Sequence, residues 1–169
     1  GIRSPSRGDR LAMSSDGLRV AYTLAADARP DSDGALPASA APAPFRGLRL
    51  HVVDTASGQV EWVSAAGVSA WSASWSPDGT TVAFYCDAGG EVGLWSHRVG
   101  DAAARRLGTS VIGPFHHMRP EWTPDGTAIL VPTIASATTG STDPDATVSA
   151  DAAAPAMVAG QPGIVVRRT

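Results

Sequence analysis

Residues 74–96, SWSPDGTTVAFYCDAGGEVGLWS, open on a tight turn, run into an apolar strand, turn again at Gly89-Gly90 and end in a second apolar run. The design recurs. LAMSSDGLRVAYTL occupies 11–24, ASWSPDGTTVAFYC occupies 73–86 and PEWTPDGTAILVPT occupies 120–133. In each, a Ser or Thr stands two residues before an Asp-Gly pair, and an apolar strand follows two residues later. The Asp-Gly pairs lie at 16–17, 78–79 and 125–126, at intervals of 62 and 47 residues. The shorter interval is close to the roughly 40 to 50 residues of a four-stranded propeller blade. The longer one contains ADARPDSDGALPASAAPAP (26–44), polar, Pro-rich and aperiodic, which reads as a loop insertion over 26–46.

Turn chemistry explains why the unit can repeat. Pro77 presets φ at the first central position of the turn. Asp78 can tie its side chain to nearby backbone, and Gly79 accepts the left-handed conformation that closes a bulged hairpin. Ser76 or Thr123 at the first turn position can accept a backbone N–H. In the first repeat Ser15 replaces the proline found at 77 and 124. Such turns join antiparallel strands in a fixed register.

The second repeat predicts strands at about 72–76, 80–86, 91–97 and 104–107. Val82, Phe84 and Cys86 alternate with Thr81, Ala83 and Tyr85, the pattern of a sheet buried on both faces. The first repeat predicts strands at 19–24, 48–54 and 59–64, with a turn at 55–58. The third supplies 128–134 and then loses its rhythm. Residues 135–163 are almost all Ala, Ser, Thr, Gly, Pro and Asp, too polar to offset ordering entropy, and read as a flexible loop. GIVVRR (163–168) resumes a strand pattern. Helical periodicity is lacking. The expected architecture is all-β: a partial β-propeller of about three four-stranded antiparallel blades. An N-terminal segment (1–9) precedes blade 1 (10–66), blade 2 (67–112) and an incomplete blade 3 (113–169). Three blades do not close a propeller, which takes roughly four to eight. A fragment is therefore expected, with further blades after Thr169 or before Gly1.

Composition limits the function. The net charge is −3 and every one of the 13 basic residues is Arg. That leaves no electrostatic footprint for nucleic acid. The single cysteine, Cys86, excludes an internal disulfide and a thiolate zinc cluster, and in its apolar run it reads as a buried, inert thiol. No stretch approaches the roughly 18 to 20 apolar residues of a membrane span. With no charged-then-apolar leader in the chain either, no membrane partner and a cytoplasmic setting are expected.

The residues that invite a chemical role have structural readings. His116 and His117 are adjacent, so on a strand they point to opposite faces and cannot easily share a metal. His51 and His97 fall on strands and read as satisfied sheet histidines. Asp31-Ser32-Asp33-Gly34 and Asp143-Pro144-Asp145 lack the distal Glu of a calcium loop and read as solvated acids. Turn geometry alone accounts for Asp16, Asp78 and Asp125. Trp75 and Trp122 share one repeat position and read as inter-blade packing. Trp71, outside the pattern, reads as core rather than channel lining. Arg105-Arg106 and Arg167-Arg168 read as solvated pairs. No catalytic, cofactor-binding or metal-binding residue is assigned, and no cofactor is expected.

SWSPDGTTVAFYCDAGGEVGLW and RPEWTPDGTAILVPT resemble the blades of TolB and of the N-terminal propellers of prolyl oligopeptidase-type serine peptidases, over about residues 10–134. The Ala-Phe-Tyr-x-Asp run at 83–87, the Leu94-Trp95 strand and the Arg-Pro-Glu-Trp-Thr-Pro-Asp-Gly run at 119–126 resemble the peptidases in particular. That resemblance implies a non-catalytic propeller that gates access to, and scaffolds, an α/β-hydrolase domain of the same parent chain. Peptide substrates would be cut by a Ser-Asp-His site in that domain. No Gly-x-Ser-x-Gly elbow occurs here, and Glu61, Glu91 and Glu121 never form the adjacent pair that holds a free amino terminus in dipeptidyl peptidases. Likeness to TolB instead implies a protein–protein interaction module.

Overall fold

A computed structural model describes residues 11–25, 40–88, 90–108, 118–134 and 162–168 of the 169-residue chain. His116, His117 and both candidate calcium segments lie outside them, as do residues 26–39 of the insertion and most of 135–163.

Each Asp-Gly turn is built the same way. Ser14 Oγ donates to Asp16 Oδ1 at 2.6 Å, Ser76 Oγ to Asp78 Oδ1 at 2.5 Å and Thr123 Oγ1 to Asp125 Oδ1 at 2.6 Å. The same hydroxyls accept the N–H groups of Arg19, Thr81 and Ala128 at 2.9–3.0 Å. Each aspartate also accepts the N–H two residues on, from Leu18, Thr80 or Thr127. The glycines sit at φ +70°, +68° and +71°, where a Cβ is strained. These bonds hold all three carboxyls below the usual aspartate range, the hydroxyl donors Ser14, Ser76 and Thr123 being the largest cause. The recurring aspartates therefore have a complete structural explanation.

The turns launch three antiparallel sheets. The first contains β1 (Ala12–Met13), β2 (Arg19–Ala25), β3 (Leu48–Asp54) and β4 (Val60–Trp62), in that order. The second contains β5 (Ala70–Trp75), β6 (Thr81–Cys86), β7 (Gly93–Arg98) and β8 (Arg105–Arg106). Among the described residues the third has three strands, in the order β11 (Pro162–Arg168), β10 (Ala128–Ile134) and β9 (Glu121–Trp122). Neighbours in the first two sheets are consecutive in sequence, and contacts between β1 and β5 and between β5 and β9 set the inner strands side by side. This is a partial β-propeller of three blades. The only helical element among the described residues is a 3₁₀ turn at Ala43–Phe45. No helix there is long and apolar enough to cross a membrane.

Blade 2 is covered on both sides. Val82, Phe84 and Cys86 join Ala21, Leu50 and Val52 of blade 1 in one cluster. Ala83, Tyr85 and Leu94 join Ile129 and Val131 of blade 3 in the other. Each large side chain so buried contributes about 1.5–3 kcal/mol. The repeat tryptophans tie the seams. Trp75 Nε1 donates to Ala12 O on blade 1 at 2.9 Å, and Trp122 Nε1 donates to Ser74 O on blade 2 at 3.2 Å. Ala12 and Ser74 are equivalent in the repeat, so one bond recurs a blade later. Ser15 Oγ donates to Pro77 O at 2.7 Å, joining neighbouring turns.

Four expectations are refined. The end of the insertion is built into the fold: Ala41 and Phe45 are buried, and Phe45 stacks on Trp71 at 5.4 Å. Trp71 is fully buried, as core. His51 and His97 are buried, and each leaves Nδ1 without a partner among the described residues. Arg106 is not simply solvated. It pairs with Glu91 at 3.7 Å and lies so close over Gly93 that a Cβ there would meet its Nε at 2.8 Å.

Candidate functional site

The inner strands carry an open concave surface. Their Ser/Thr-x-Asp-Gly ends are fixed by the turns, so the residues just before each turn converge from three blades. A hollow of about 450 Å³ lies between β1, β5 and the approach to β9. Leu11, Met13 and Ser15 line it from blade 1, Ser74, Trp75 and Pro77 from blade 2, and Arg119, Glu121 and Trp122 from blade 3. Its size falls in the range of small-molecule and peptide sites.

Both indole N–H groups at this hollow are committed to the seams, so the tryptophans offer it ring surface rather than donors. Ser74 Oγ is buried without a partner among the described residues. Glu121 is exposed and Arg119 half-buried at the blade 3 rim. The inner strand is itself irregular: the β5–β6 register shifts between Trp71 and Ser74, and Ser72 sits at φ +56°. That bulge re-aims Ser74 and Trp75 relative to the rest of the strand.

Ser15 has its proton committed to Pro77 O, and among the described residues Glu121 is the one titratable acid at the hollow. Among the described residues no three His, Cys, Asp or Glu side chains gather as metal ligands. Apolar walls thus meet an Arg and a Glu at the rim.

The other residues with chemical potential are dispersed. His97 Nε2 meets Glu61 Oε1 across the blade 1–2 seam at 2.8 Å. His51 lies on the far face of blade 1, stacked on Tyr22 at 5.4 Å and edge-on to Trp62 at 4.7 Å. Burial, then the Arg49 charge, hold its pKa below the usual value. Cys86 borders an apolar crevice of about 220 Å³ between blades 1 and 2, and burial pushes its thiol up to about 11. Trp71 Nε1 and Tyr85 OH are buried in the blade 2–3 seam without partners among the described residues. Sequence reading placed Trp75 and Trp122 at the inter-blade seams, where Trp75 joins blades 1 and 2 and Trp122 joins blades 2 and 3. It missed the hollow, because Leu11 and Met13, Ser74, and Arg119 with Glu121 belong to three separate sequence segments, and only the arc brings them together.

No protein-family profile matches the chain, and no curated protein matches it in sequence. Solved structures do. A TolB-type protein from Agrobacterium tumefaciens superposes with a TM-score of 0.53 at 18% identity, over 75% of this chain and 39% of that one. An acylaminoacyl peptidase in complex with Z-Gly-Gly-Phe-chloromethyl ketone superposes with a TM-score of 0.50 at 16% identity, over 74% of this chain and 17% of that one. The chain thus spans about two fifths of the TolB structure and a smaller share of the peptidase. At these identities the likeness establishes the TolB-like propeller fold.

Proposed function

We propose that this chain is a non-catalytic β-propeller segment that gates substrate access to, and scaffolds, a serine peptidase cleaving oligopeptides. Its partners on this reading are an α/β-hydrolase domain of the same parent chain and the peptide substrates. Blade units at 10–66, 67–112 and 113–169 form the arc. The observation that carries the reading is the hollow at the inner strands, where residues of three blades converge on one open surface. The blade motifs that resemble the peptidases, and the superposition on an acylaminoacyl peptidase, support it. In such an arrangement the propeller selects by access, while serine attack, histidine base and oxyanion hole reside in the hydrolase domain.

A second reading is favoured by the TolB superposition, which extends over a larger share of the neighbour. It makes the propeller a surface for protein partners. Reading the gene beyond the codon for Thr169 separates the two. A Gly-x-Ser-x-Gly elbow followed by Asp and His is the expected result. A stop codon after a few more blades, with a secretory signal upstream, would replace the first reading by the second. The 169-residue chain alone should not hydrolyse aminoacyl or dipeptidyl chromogenic substrates, and serine-reagent-sensitive turnover by it would overturn the assignment.

A further inference from the structure

The three described Asp-Gly turns differ at one place. In each, the glycine N–H donates to the carbonyl of the first turn residue, Ser14, Ser76 or Thr123, at 2.9 Å. In each, the aspartate Oδ1 accepts that residue's hydroxyl at 2.5–2.6 Å and the N–H two residues on at 2.9–3.1 Å. The residue supplying that N–H is Thr80 in blade 2 and Thr127 in blade 3, but Leu18 in blade 1. Thr80 Oγ1 donates to Asp78 Oδ2 at 2.9 Å, so that carboxylate is held by both oxygens. The Thr127 side chain likewise bonds Asp125. Leu18 has no hydroxyl to give, and among the described residues Asp16 Oδ2 has only the Arg19 guanidinium, at 3.9 Å.

An aspartate followed by glycine can rearrange without an enzyme or a cofactor. The glycine nitrogen attacks the side-chain carboxyl carbon. The new C–N bond forms as the C–OH bond of the protonated carboxyl breaks, and the hydroxyl leaves with the amide proton as water. A second water then opens the cyclic imide. Opening at the main-chain carbonyl routes the peptide through the side-chain carbonyl, giving isoaspartate with one extra methylene in the backbone. The attacking nitrogen is bonded alike in all three turns, so the hold on the carboxyl decides which turn reacts. We propose that Asp16-Gly17 is the modification site among the three, forming the imide ahead of Asp78-Gly79 and Asp125-Gly126. In blade 1 alone the carboxyl turns towards the glycine without first breaking a hydroxyl bond from the residue two positions on. The product withdraws the carboxylate from Ser14 and Leu18 and lengthens the chain beside Ser15, whose hydroxyl joins blade 1 to Pro77 of blade 2 at 2.7 Å. It also displaces the Gly17 and Leu18 carbonyls, which hold Thr55 at 3.0 and 2.9 Å. A change at one turn is thus felt both at a seam and within the blade. This inference is independent of the peptidase reading.

Incubating the 169-residue chain in water enriched in heavy oxygen marks every aspartate that has passed through the imide. Peptide mapping assigns the mark to 16, 78 or 125, apart from Asp33-Gly34. Label should accumulate at Asp16 at least about tenfold faster than at Asp78 or Asp125, the worth of one hydrogen bond to a charged group. In urea, where no turn is formed, the three should label at comparable rates. Leu18→Thr supplies the missing hydroxyl and should bring Asp16 down to the rate of Asp78. Thr80→Val removes it from blade 2 and should raise Asp78 to the rate of Asp16. Leu18 is 50% exposed, and the two untouched turns of each variant serve as its reference, so a change in global stability, which moves all three together, is told apart. Equal labelling of the three turns in the folded chain would overturn the proposal. So would a Leu18→Thr chain that labels Asp16 as fast as the parent, since fraying of blade 1 rather than the missing bond would then set the rate.

Discussion

Blades 1 and 2 are built from the same turn, in the same register, yet they live in different surroundings. Tyr22 pairs with His51 in blade 1 as Phe84 pairs with Trp95 in blade 2. Phe84 is 1% exposed, in the cluster between the blades, while Tyr22 is half-buried on the face away from blade 2. The Asp-Gly turns therefore fix strand order and register locally, but the blade-to-blade faces decide which side chains carry stability. A single blade has too little core to stand alone; an arc shares one cluster between each pair of blades.

The largest expected effect comes from substituting the two equivalent positions. Phe84→Ala should cost about 3–5 kcal/mol, since it opens a cavity against Ala21 and Val52 that rigid sheets cannot close. Tyr22→Ala should cost about 1 kcal/mol, through its stacking on His51. Urea unfolding of both variants measures the difference. Equal losses would mean that packing between blades is not what distinguishes them.

A smaller contrast lies in the seam bond. Trp75→Phe keeps most of the ring but removes the indole N–H, leaving Ala12 O without its donor. The expected loss is about 1–2 kcal/mol, the cost of one unsatisfied carbonyl. Met13→Leu, at the same repeat position on the face away from blade 2, should change stability by no more than about 0.5 kcal/mol. A Trp75→Phe variant as stable as the parent would show that the bond merely accompanies the packing.

Much of this contrast was legible from residues 74–96 and their two relatives. Periodicity two and the Ser-x-Asp-Gly turn are local properties, so strands near 72–76, 80–86 and 128–134 could be placed to within about two residues. The shared position of Trp75 and Trp122 pointed to seams because one large side chain recurring once per blade must meet the neighbouring blade. Non-local features left no such trace. Phe45 follows a Pro- and Ala-rich stretch with no period, and only its stacking on Trp71 reveals that the insertion returns to the core. The hollow is similar. Ser74 looks like any strand serine until the bulge at Ser72 turns it toward residues some 45 positions further on. His97 also gave no hint of Glu61, because a pair across a seam depends on how two blades abut.

The subtlest difference between the blades is their response to acid. In blade 1 the position facing Tyr22 is His51; its blade 2 counterpart is Trp95, which does not titrate. His51 is enclosed by Tyr22 and Trp62 and faces the Arg49 charge, which lies over the Trp62 ring at 4.9 Å. Burial first, and Arg49 second, depress its pKa below 6.5 in the folded chain. Above pH 6.5 neither folded nor unfolded His51 is protonated, and its contribution is fully present. As pH falls below that value the unfolded chain takes up the proton first, so stability declines until the folded pKa is passed. The slope cannot exceed about 1.4 kcal/mol per pH unit for one proton. The turn aspartates lie below 3.8 when folded and leave this window undisturbed. His51→Gln should flatten unfolding free energy between roughly pH 7 and pH 5, measured by urea titration at each pH. A slope that survives the substitution would take the acid response away from His51, and the two blades would then differ in packing alone.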